Sequence, residues 1–306
     1  MLRMLLLAFA LAAFASADSL NCRLVGSYTT PGYALYAAVQ GDYAYVADND
    51  SGLLILNVAN PAAPVPVGRL LTRPKAVHVK VVGDYAYVAC RDSGLRVIDV
   101  SNPAAPRQVG HRDTPYWALN VDVVGTYAYV ADFVAGLRVI SVANPANPVE
   151  VGYSTSVGGA NAVKVAGNHA YVANAGSGLA VLDVSNPASP TYIGVCSTTT
   201  YPRSVALADT FAYVADAQGG MHTISIAVPA EPRRLAVLPT GFAVHAAAAG
   251  GLVYLAADSR LTWLDMADPQ SPQTVAFYDL PATTATPAGE LCYVTTGTGI
   301  SILRFG

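Results

Sequence analysis

Two histidines and one arginine are the residues of this chain best suited to acid–base chemistry. His78 and His245 occupy equivalent places in a repeated sequence, and Arg203 lies beside a third such place. Histidine titrates near neutral pH and can exchange a proton with a substrate, while arginine can hold a carboxylate or a phosphate. A hydrolase or lyase that uses these three residues is therefore one hypothesis for the function.

Motifs typical of enzymes are otherwise absent from the sequence. It contains no G-x-S-x-G, no H-E-x-x-H, no phosphate-binding loop and no G-x-G-x-x-G. Asp113 and Asp122 are the nearest carboxylates for glycoside hydrolysis, and nothing in the sequence ties them together. We therefore assign no catalytic residue, and a non-catalytic role is favoured.

A second set of residues is predicted to bind a ligand because its members depart from an otherwise regular repeat. Irregular positions on a rigid scaffold are where binding usually occurs. The predicted ligand-binding residues are Tyr36, Arg73, His78, Trp117, Asn120, Arg203 and His245.

Charged residues at repeated positions suggest structural roles. One position in three successive repeats carries two lysines and an aspartate, a pattern that favours an ion network between neighbouring repeats: Lys80, Asp122 and Lys164. Another position carries Asp48, Asp132 and Asp216. A metal site needs oxygens that converge on one ion, whereas carboxylates spread around a wide ring diverge. We expect these acids to accept hydrogen bonds from the following turn, and we predict no metal and no cofactor.

The sequence that positions all these residues is a repeat of about 42 residues. The second tyrosine of the motif YAYVA and its variants falls at Tyr45, Tyr87, Tyr129, Tyr171, Tyr213, Tyr254 and Tyr293. Each unit contains four short strands separated by Gly, Asn, Pro and Ser, in the second unit at 76–82, 85–90, 95–100 and 106–110. Seven such units predict an all-β fold, a seven-bladed β-propeller of four-stranded antiparallel blades.

The order of strands within a blade places the predicted site. If the first strand is innermost, the loops that enter it and the turns that leave the second strand lie on the same face. The predicted ligand-binding residues lie on first strands or in the loops that enter them. The face around the mouth of the central channel is therefore the predicted binding face.

The two ends of the chain are predicted to close the ring. The fourth strand carries prolines and charges, which suit an exposed outer edge. The last unit stops after its third strand at 300–306, while residues 22–26 match a fourth strand that has no unit before it. We therefore expect the N-terminal strand to complete the C-terminal blade.

The repeats carry a family resemblance. GLRVIDVSNPAAP at 94–106 and GLAVLDVSNPASP at 178–190 resemble the LVIVD repeat of bacterial and archaeal exported and cell-surface proteins. The resemblance extends over essentially all of 22–306 and is weakest in the last two units. It implies a propeller outside the cell and leaves the biochemical role undefined.

The N-terminus predicts export. Residues 1–17 contain Arg3, an apolar run at 5–14 and a small-residue cleavage site, which together indicate a signal peptide. We expect residues 18–306 to form one domain in the periplasm, on the cell surface or in the medium, with no membrane span after cleavage; a retained anchor or a lipid on Cys22 is the alternative.

Four cysteines allow three disulfide pairings and include no C-x-x-C motif.

Charge limits the class of partner. The full chain has a formal net charge of −3, only 12% of its residues are charged, and loss of Arg3 with the signal peptide takes the charge to −4. Nucleic acid is therefore excluded as a partner, because it requires basic patches. We expect a monomer that binds a protein or glycan partner at the cell envelope. The enzyme hypothesis and a purely structural part in an envelope assembly remain as alternatives.

Overall fold

The computed structural model describes residues 19–72, 75–198 and 200–306. Over these ranges the regular structure is entirely β, in seven sheets that form a seven-bladed β-propeller, as predicted. The predicted signal peptide and Arg73 lie outside the described residues. Within the described part of the chain, no helix is long and apolar enough to cross a membrane.

The first strand of each blade lies against the channel and pairs with a strand on one side only. Blades are numbered here from the N-terminal side by these strands. In order, they are Tyr36–Gln40, His78–Val82, Asn120–Val124, Ala160–Ala166, Pro202–Ala208, Ala243–Ala249 and Thr284–Ala288.

The second and third strands form the middle of each blade and are almost wholly buried, because a neighbouring blade covers each face. The second strands are Tyr43–Ala47, Tyr85–Ala89, Tyr127–Ala131, His169–Asn174, Phe211–Asp216, Leu252–Ala257 and Leu291–Thr295. The third strands are Leu53–Asn57, Leu95–Asp99, Leu137–Ser141, Gly178–Asp183, Gly220–Ser225, Arg260–Asp265 and Gly297–Phe305.

The fourth strand is the outer edge of each blade, as its prolines and charges predicted. In blades 1 to 6 the fourth strands are Val65–Leu70, Arg107–Arg112, Val149–Ser154, Thr191–Cys196, Arg233–Leu238 and Gln273–Asp279. The fourth strand of blade 7 is Cys22–Ala34, which pairs antiparallel with Gly297–Phe305. The N-terminal strand therefore completes the C-terminal blade, as predicted. A further short strand, Ser19–Leu20, pairs with the outer strand of blade 6.

The hydrophobic core is divided among the blade boundaries. Seven clusters of buried side chains are found among the described residues, one between each pair of adjacent blades. Tyrosine, valine and alanine of the YAYVA motif contribute to both faces of a blade. The repeat recurs so faithfully because each blade must pack against similar neighbours on both sides.

Glycine in the outer strand and proline in the next blade's turn form a second boundary contact. The outer strand of blade 2 has a bulge between Gln108 and Gly110, and Gly110 packs against the Pro145 carbonyl of blade 3. A Cβ atom at Gly110 would lie far inside van der Waals contact with that oxygen. Gly26 of blade 7 packs in the same way on Pro61 of blade 1, so this contact also closes the ring. These prolines belong to an N-P-x-x-P turn between the third and fourth strands, at 144–148 in blade 3 and 60–64 in blade 1. The turn therefore joins blades as well as strands.

Candidate functional site

A cavity of about 560 Å³ lies at one mouth of the channel. Loops entering first strands and turns leaving second strands both contribute to it, as the strand order predicted. Six of the seven predicted residues line it: Tyr36, His78, Trp117, Asn120, Arg203 and His245. Ligand binding by these residues stays a prediction.

The polar residues on the first strands connect neighbouring blades. A side chain on one first strand accepts a hydrogen bond from a backbone amide on the next first strand. These bonds run from Val121 N to His78 Nδ1 (3.4 Å), Val163 N to Asn120 Oδ1 (3.1 Å), Ala246 N to Ser204 Oγ (3.3 Å) and Ala285 N to His245 Nδ1 (3.3 Å). One acceptor atom of each of these side chains is therefore used to join two blades.

The other three boundaries are bridged by side-chain donors instead. These bonds run from Gln40 Nε2 to Gly83 O (2.9 Å), Asn161 Nδ2 to Pro202 O (2.6 Å) and Thr286 Oγ1 to Ala37 O (2.6 Å). All seven boundaries thus carry a side-chain to backbone bond near the channel. Because the first strand has a strand partner on one side only, these bonds occupy polar groups at its free edge.

Both histidines are neutral. Burial lowers the pKa of His78 well below its ordinary value, and Lys164, His245 and Lys80 lower it further. Burial and Lys164 lower the pKa of His245 to about 3. Since Nδ1 of each ring accepts a hydrogen bond, each neutral ring carries its proton on Nε2. Each histidine is therefore a hydrogen-bond donor at neutral pH rather than an acid.

Tyr36 and the two histidines form an aromatic layer at the floor of the cavity. The Tyr36 ring centroid lies 3.8 Å from that of His78 and 5.8 Å from that of His245. Tyr36 and His245 also line a second cavity of about 300 Å³, together with Lys164. Burial lowers the pKa of Lys164, but Tyr36 and Asp122 raise it and the net shift is upward. Lys164 therefore stays charged below the aromatic layer.

The predicted Lys–Asp–Lys network forms in part. Lys80 Nζ lies 3.1 Å from Asp122 Oδ1, and the other carboxylate oxygen accepts a hydrogen bond from Val165 N of the next blade at 3.0 Å. In the described part of the chain, Lys164 makes no ion pair with Asp122 within 4.0 Å, although the two interact electrostatically. Asp122 therefore joins blades 3 and 4 through a backbone amide and joins blade 2 through a lysine.

Two cavity residues, Arg91 and Phe133, were missed by the sequence analysis. The Arg91 guanidinium carbon lies 4.4 Å from the Trp117 ring centroid, and the Phe133 and Trp117 rings stack at 5.8 Å. Both follow second strands and have positive φ angles, 34° and 42°. Their backbones pair with Ala118 and Ala160 of the following blades, which stabilises this strained conformation.

The signal that identifies this position is its variation within a constant repeat. Asn49, Arg91 and Phe133 occupy the same place, immediately after YVA and one polar or cysteine residue. Asparagine suits a positive φ, whereas arginine and phenylalanine do not. The architecture therefore explains the backbone conformation but not the choice of these two side chains.

Aromatic side chains also surround the cavity at its rim. Tyr33 and Tyr201 are exposed members of the cavity lining, and the Arg203 guanidinium carbon lies 5.5 Å from the ring centroid of exposed Phe242. Tyr116 is exposed beside Trp117, with ring centroids 5.1 Å apart. The rim therefore offers rings from the end of the strand Cys22–Ala34 and from the loops that enter blades 3, 5 and 6.

The repeated acids anchor the loops that enter the first strands. Buried Asp132 accepts hydrogen bonds from Thr114 Oγ1 at 2.6 Å and from the Tyr116 amide at 3.0 Å. Asp216 binds Thr198, Thr200 and the Tyr201 amide in the same way, and it also accepts from Gln218 in the following turn. The expected bond from the following turn is therefore found at Asp216, but most donors to these acids lie in the loop that enters the first strand, which was not predicted.

Metal-binding clusters and disulfides are the remaining features to consider among the described residues. They include no group of three or more His, Cys, Asp or Glu side chains placed to hold a metal ion. The four cysteines are buried and free. Burial raises the pKa of Cys22 and of Cys90 to about 11, so these thiols stay protonated.

Comparison with known proteins agrees with this architecture. The crystal structure of the RRP9 WD40 repeats superimposes with a TM-score of 0.74 at 12% identity, covering 95% of this chain and 98% of that one. The structure of U3-55K gives 0.72 at 12% identity, covering 93% and 98%. The crystal structure of the computationally designed Ika8 protein gives 0.70 at 6% identity, covering 92% and 99%. At these identities the likeness shows the fold alone.

Family membership comes from the sequence repeats. A search among functionally curated proteins finds no match. The model of the LVIVD repeat matches residues 31–72, 75–114, 117–155, 157–198 and 201–234, which together make up more than half of the sequence. The chain therefore belongs to the LVIVD repeat family.

Proposed function

We propose that this protein is an exported, non-catalytic binding scaffold that recognises a protein or glycan partner through the face around the channel mouth. The observation that carries the proposal is the cavity of about 560 Å³, which brings together six irregular residues on an otherwise uniform scaffold. Its volume falls within the range of about 300–1,000 Å³ that is usual for ligand sites. The export part of the proposal rests on the N-terminal sequence.

The protonation of the histidines supports binding over catalysis. An acid catalyst must be protonated at working pH, and an efficient base has a pKa near that pH. His78 and His245 have lowered pKa values and engaged Nδ1 atoms, so they fit neither role. As neutral N–H donors they suit recognition of an uncharged or anionic group.

The enzyme hypothesis has one observation in its favour, because both histidines and Arg203 line the same cavity. It predicts turnover of a hydrolase or lyase substrate that disappears in His78→Asn and His245→Asn. Asparagine keeps an acceptor for the blade-to-blade bond, as Asn120 shows. Our proposal expects no turnover by the unaltered protein in such a substrate screen.

Binding is tested with a matched pair of aromatic variants. Purified protein is applied to a glycan array and to fractionated envelope proteins, alongside Trp117→Ala and Tyr192→Ala. Trp117 lines the cavity, whereas Tyr192 is exposed on an outer strand. We expect Trp117→Ala to weaken binding by about tenfold or more, as loss of a central aromatic anchor does, and Tyr192→Ala to leave it unchanged. Equal binding by all three proteins would contradict the proposal.

A further inference from the structure

The charge of the cavity differs from that of the whole molecule. The chain has a net charge of −3, yet among the described residues that line the cavity two are arginines and none is an aspartate or glutamate. Arg91 comes from the turn after the second strand of blade 2, and Arg203 from the first strand of blade 5. Positive charge is therefore supplied from two sides of the channel mouth.

No carboxylate of the described residues neutralises the two cavity arginines by a direct ion pair. Of the ten other described arginines, five form ion pairs with an aspartate or glutamate: Arg96, Arg107, Arg138, Arg260 and Arg304. In the described part of the chain, neither Arg91 nor Arg203 lies within 4.0 Å of a carboxylate oxygen. The Nε of Arg91 is buried without a hydrogen-bond partner there. Both guanidinium groups line a concave site without a counter-charge, and an anionic ligand would supply one.

Aromatic contacts hold both guanidinium groups in place. Arg91 stacks on Trp117 and Arg203 lies over Phe242. A stacked guanidinium keeps the in-plane donors at its edge available for a bidentate bond with a carboxylate. The positive φ at Arg91 places its side chain over Trp117. Asparagine or glycine would adopt this backbone conformation with less strain.

The rest of the lining favours a carbohydrate over a peptide. The polar side chains on the walls are amides and hydroxyls, namely Asn120, Asn161, Ser204, Thr283 and Thr284. The bonds between blades occupy polar groups on the free edge of the first strands, so an extended peptide finds few backbone partners there. Exposed rings at the rim can cover the apolar face of a sugar.

We infer that the cavity binds an acidic glycan, with carboxylate-bearing sugar residues held by Arg91 and Arg203. The inference rests on the proposed function and narrows it to one ligand class. A neutral glycan or a protein partner would satisfy the proposed function without satisfying this inference.

The test compares two matched oligosaccharides by isothermal titration calorimetry. The probes are a trimer of galacturonic acid and a trimer of galactose, which differ in the carboxylate. Purified protein is titrated alongside Arg91→Asn, Arg203→Gln and Arg233→Gln. Asparagine tolerates the positive φ at position 91, so that variant keeps the fold. Arg233 is exposed on the outer strand of blade 5 and serves as the charge-matched control.

The expected result is binding of the acidic trimer at least about tenfold tighter than the neutral trimer. Arg91→Asn and Arg203→Gln each weaken acidic binding by about tenfold or more, as loss of a charged hydrogen bond does. Arg233→Gln leaves binding unchanged, and raising NaCl from about 0.05 M to about 0.5 M weakens the acidic trimer alone.

Three outcomes would overturn the inference. They are equal binding of both trimers, equal loss in Arg233→Gln, and no binding of the acidic trimer. None of them removes the proposed function if Trp117→Ala still weakens capture of another partner by about tenfold or more. If Trp117→Ala also has no effect on capture of any partner, both the acidic-glycan inference and the proposed function are overturned.

Discussion

His78, Asn120, Ser204 and His245 show how one ring position accepts different residue types. In these four blades the side chain accepts a hydrogen bond from a backbone amide of the next blade, whereas Ala162 occupies the same position in blade 4 without an acceptor. Ser204 uses its hydroxyl as donor and acceptor to Ala246, whereas each histidine uses only Nδ1 and keeps part of its ring free. In the two histidines that free part is the Nε2–H, on side chains that line the cavity.

Neutral buried histidines make the folded protein sensitive to acid. Their folded pKa values lie below that of an unfolded histidine, so below about pH 6.5 the unfolded chain binds more protons than the folded chain. Stability is therefore fully present above that pH and falls as the pH drops towards the folded pKa values. We expect a loss of up to about 2 kcal/mol per histidine between pH 7 and pH 5, with a smaller share from His245 because its side chain is only partly buried.

The free energy of unfolding is measured by urea titration at pH 7 and pH 5. The unaltered protein is compared with a double variant that carries His78→Asn and His245→Asn. The double variant keeps the acceptors and removes both titrating rings, so it should lose less stability on acidification. His222 remains in both proteins, and burial lowers its pKa too, so it contributes a shared residual slope. The same pH dependence in both proteins would show that the two rings are not responsible.

The repeat pattern predicts the positions of these residues better than their roles. Six predicted residues meet in one cavity because the period of the repeat fixes which residues face the channel. The amide bonds to His78, Asn120 and His245 were not foreseen, since they depend on how far adjacent blades stand apart. Arg91 was missed because a positive φ directs its side chain, and no sequence pattern states the φ angle of an arginine.

The outer strand and the N-P-x-x-P turn act as one element across two blades. A bulge turns the strand so that Gly110 meets the Pro145 carbonyl, and the same contact recurs at Gly68 with Pro103. The sequence predicted the turn from Asn and Pro alone. It did not predict the docking, because the partner glycine lies in the preceding blade.

Substitution of Gly110 tests this docking. We expect Gly110→Ala to destabilise the protein by about 1–3 kcal/mol, the usual cost of overpacking, because the new Cβ collides with a backbone oxygen that cannot move alone. Gly158→Ala is the matched control, since its nearest neighbour beyond the adjoining residues is 3.4 Å away and its φ is not positive. Denaturant midpoints are measured for both variants, and that of Gly110→Ala should be the lower. Equal midpoints would show that the glycine is not needed for close approach.

Ring closure belongs to the whole molecule and was readable from the sequence. Residues 22–26 resemble a fourth strand with no unit before it, and the last unit lacks a fourth strand. The first therefore supplies what the last needs. The structure extends this strand to Cys22–Ala34 and runs on through Leu35 into blade 1. One continuous segment therefore serves blade 7 at its outer edge and blade 1 at its inner edge.

This strand completes blade 7 and also links blade 7 covalently to blade 1. Two variants separate these roles, one that removes the strand and one that moves it to the C-terminus. A variant that begins at residue 35 should fail to fold cooperatively, because blade 7 loses its outer strand and exposes the third strand. A circular permutant that carries residues 19–34 after residue 306 should fold, since the Gly306 amide already bonds to the Asn21 carbonyl at 3.0 Å. It should unfold faster, because no covalent link then crosses from blade 7 to blade 1. Stopped-flow unfolding measures the difference, and equal rates would contradict the role of that link.

The same strand also sets the order of events during synthesis. The segment that seals the ring emerges before any blade exists, and its partner emerges after all the others. Each of the first six blades can form on its own stretch of chain, whereas the seventh joins residues made first to residues made last. Completion must therefore wait for the final third strand, and until then the nascent protein remains an open arc.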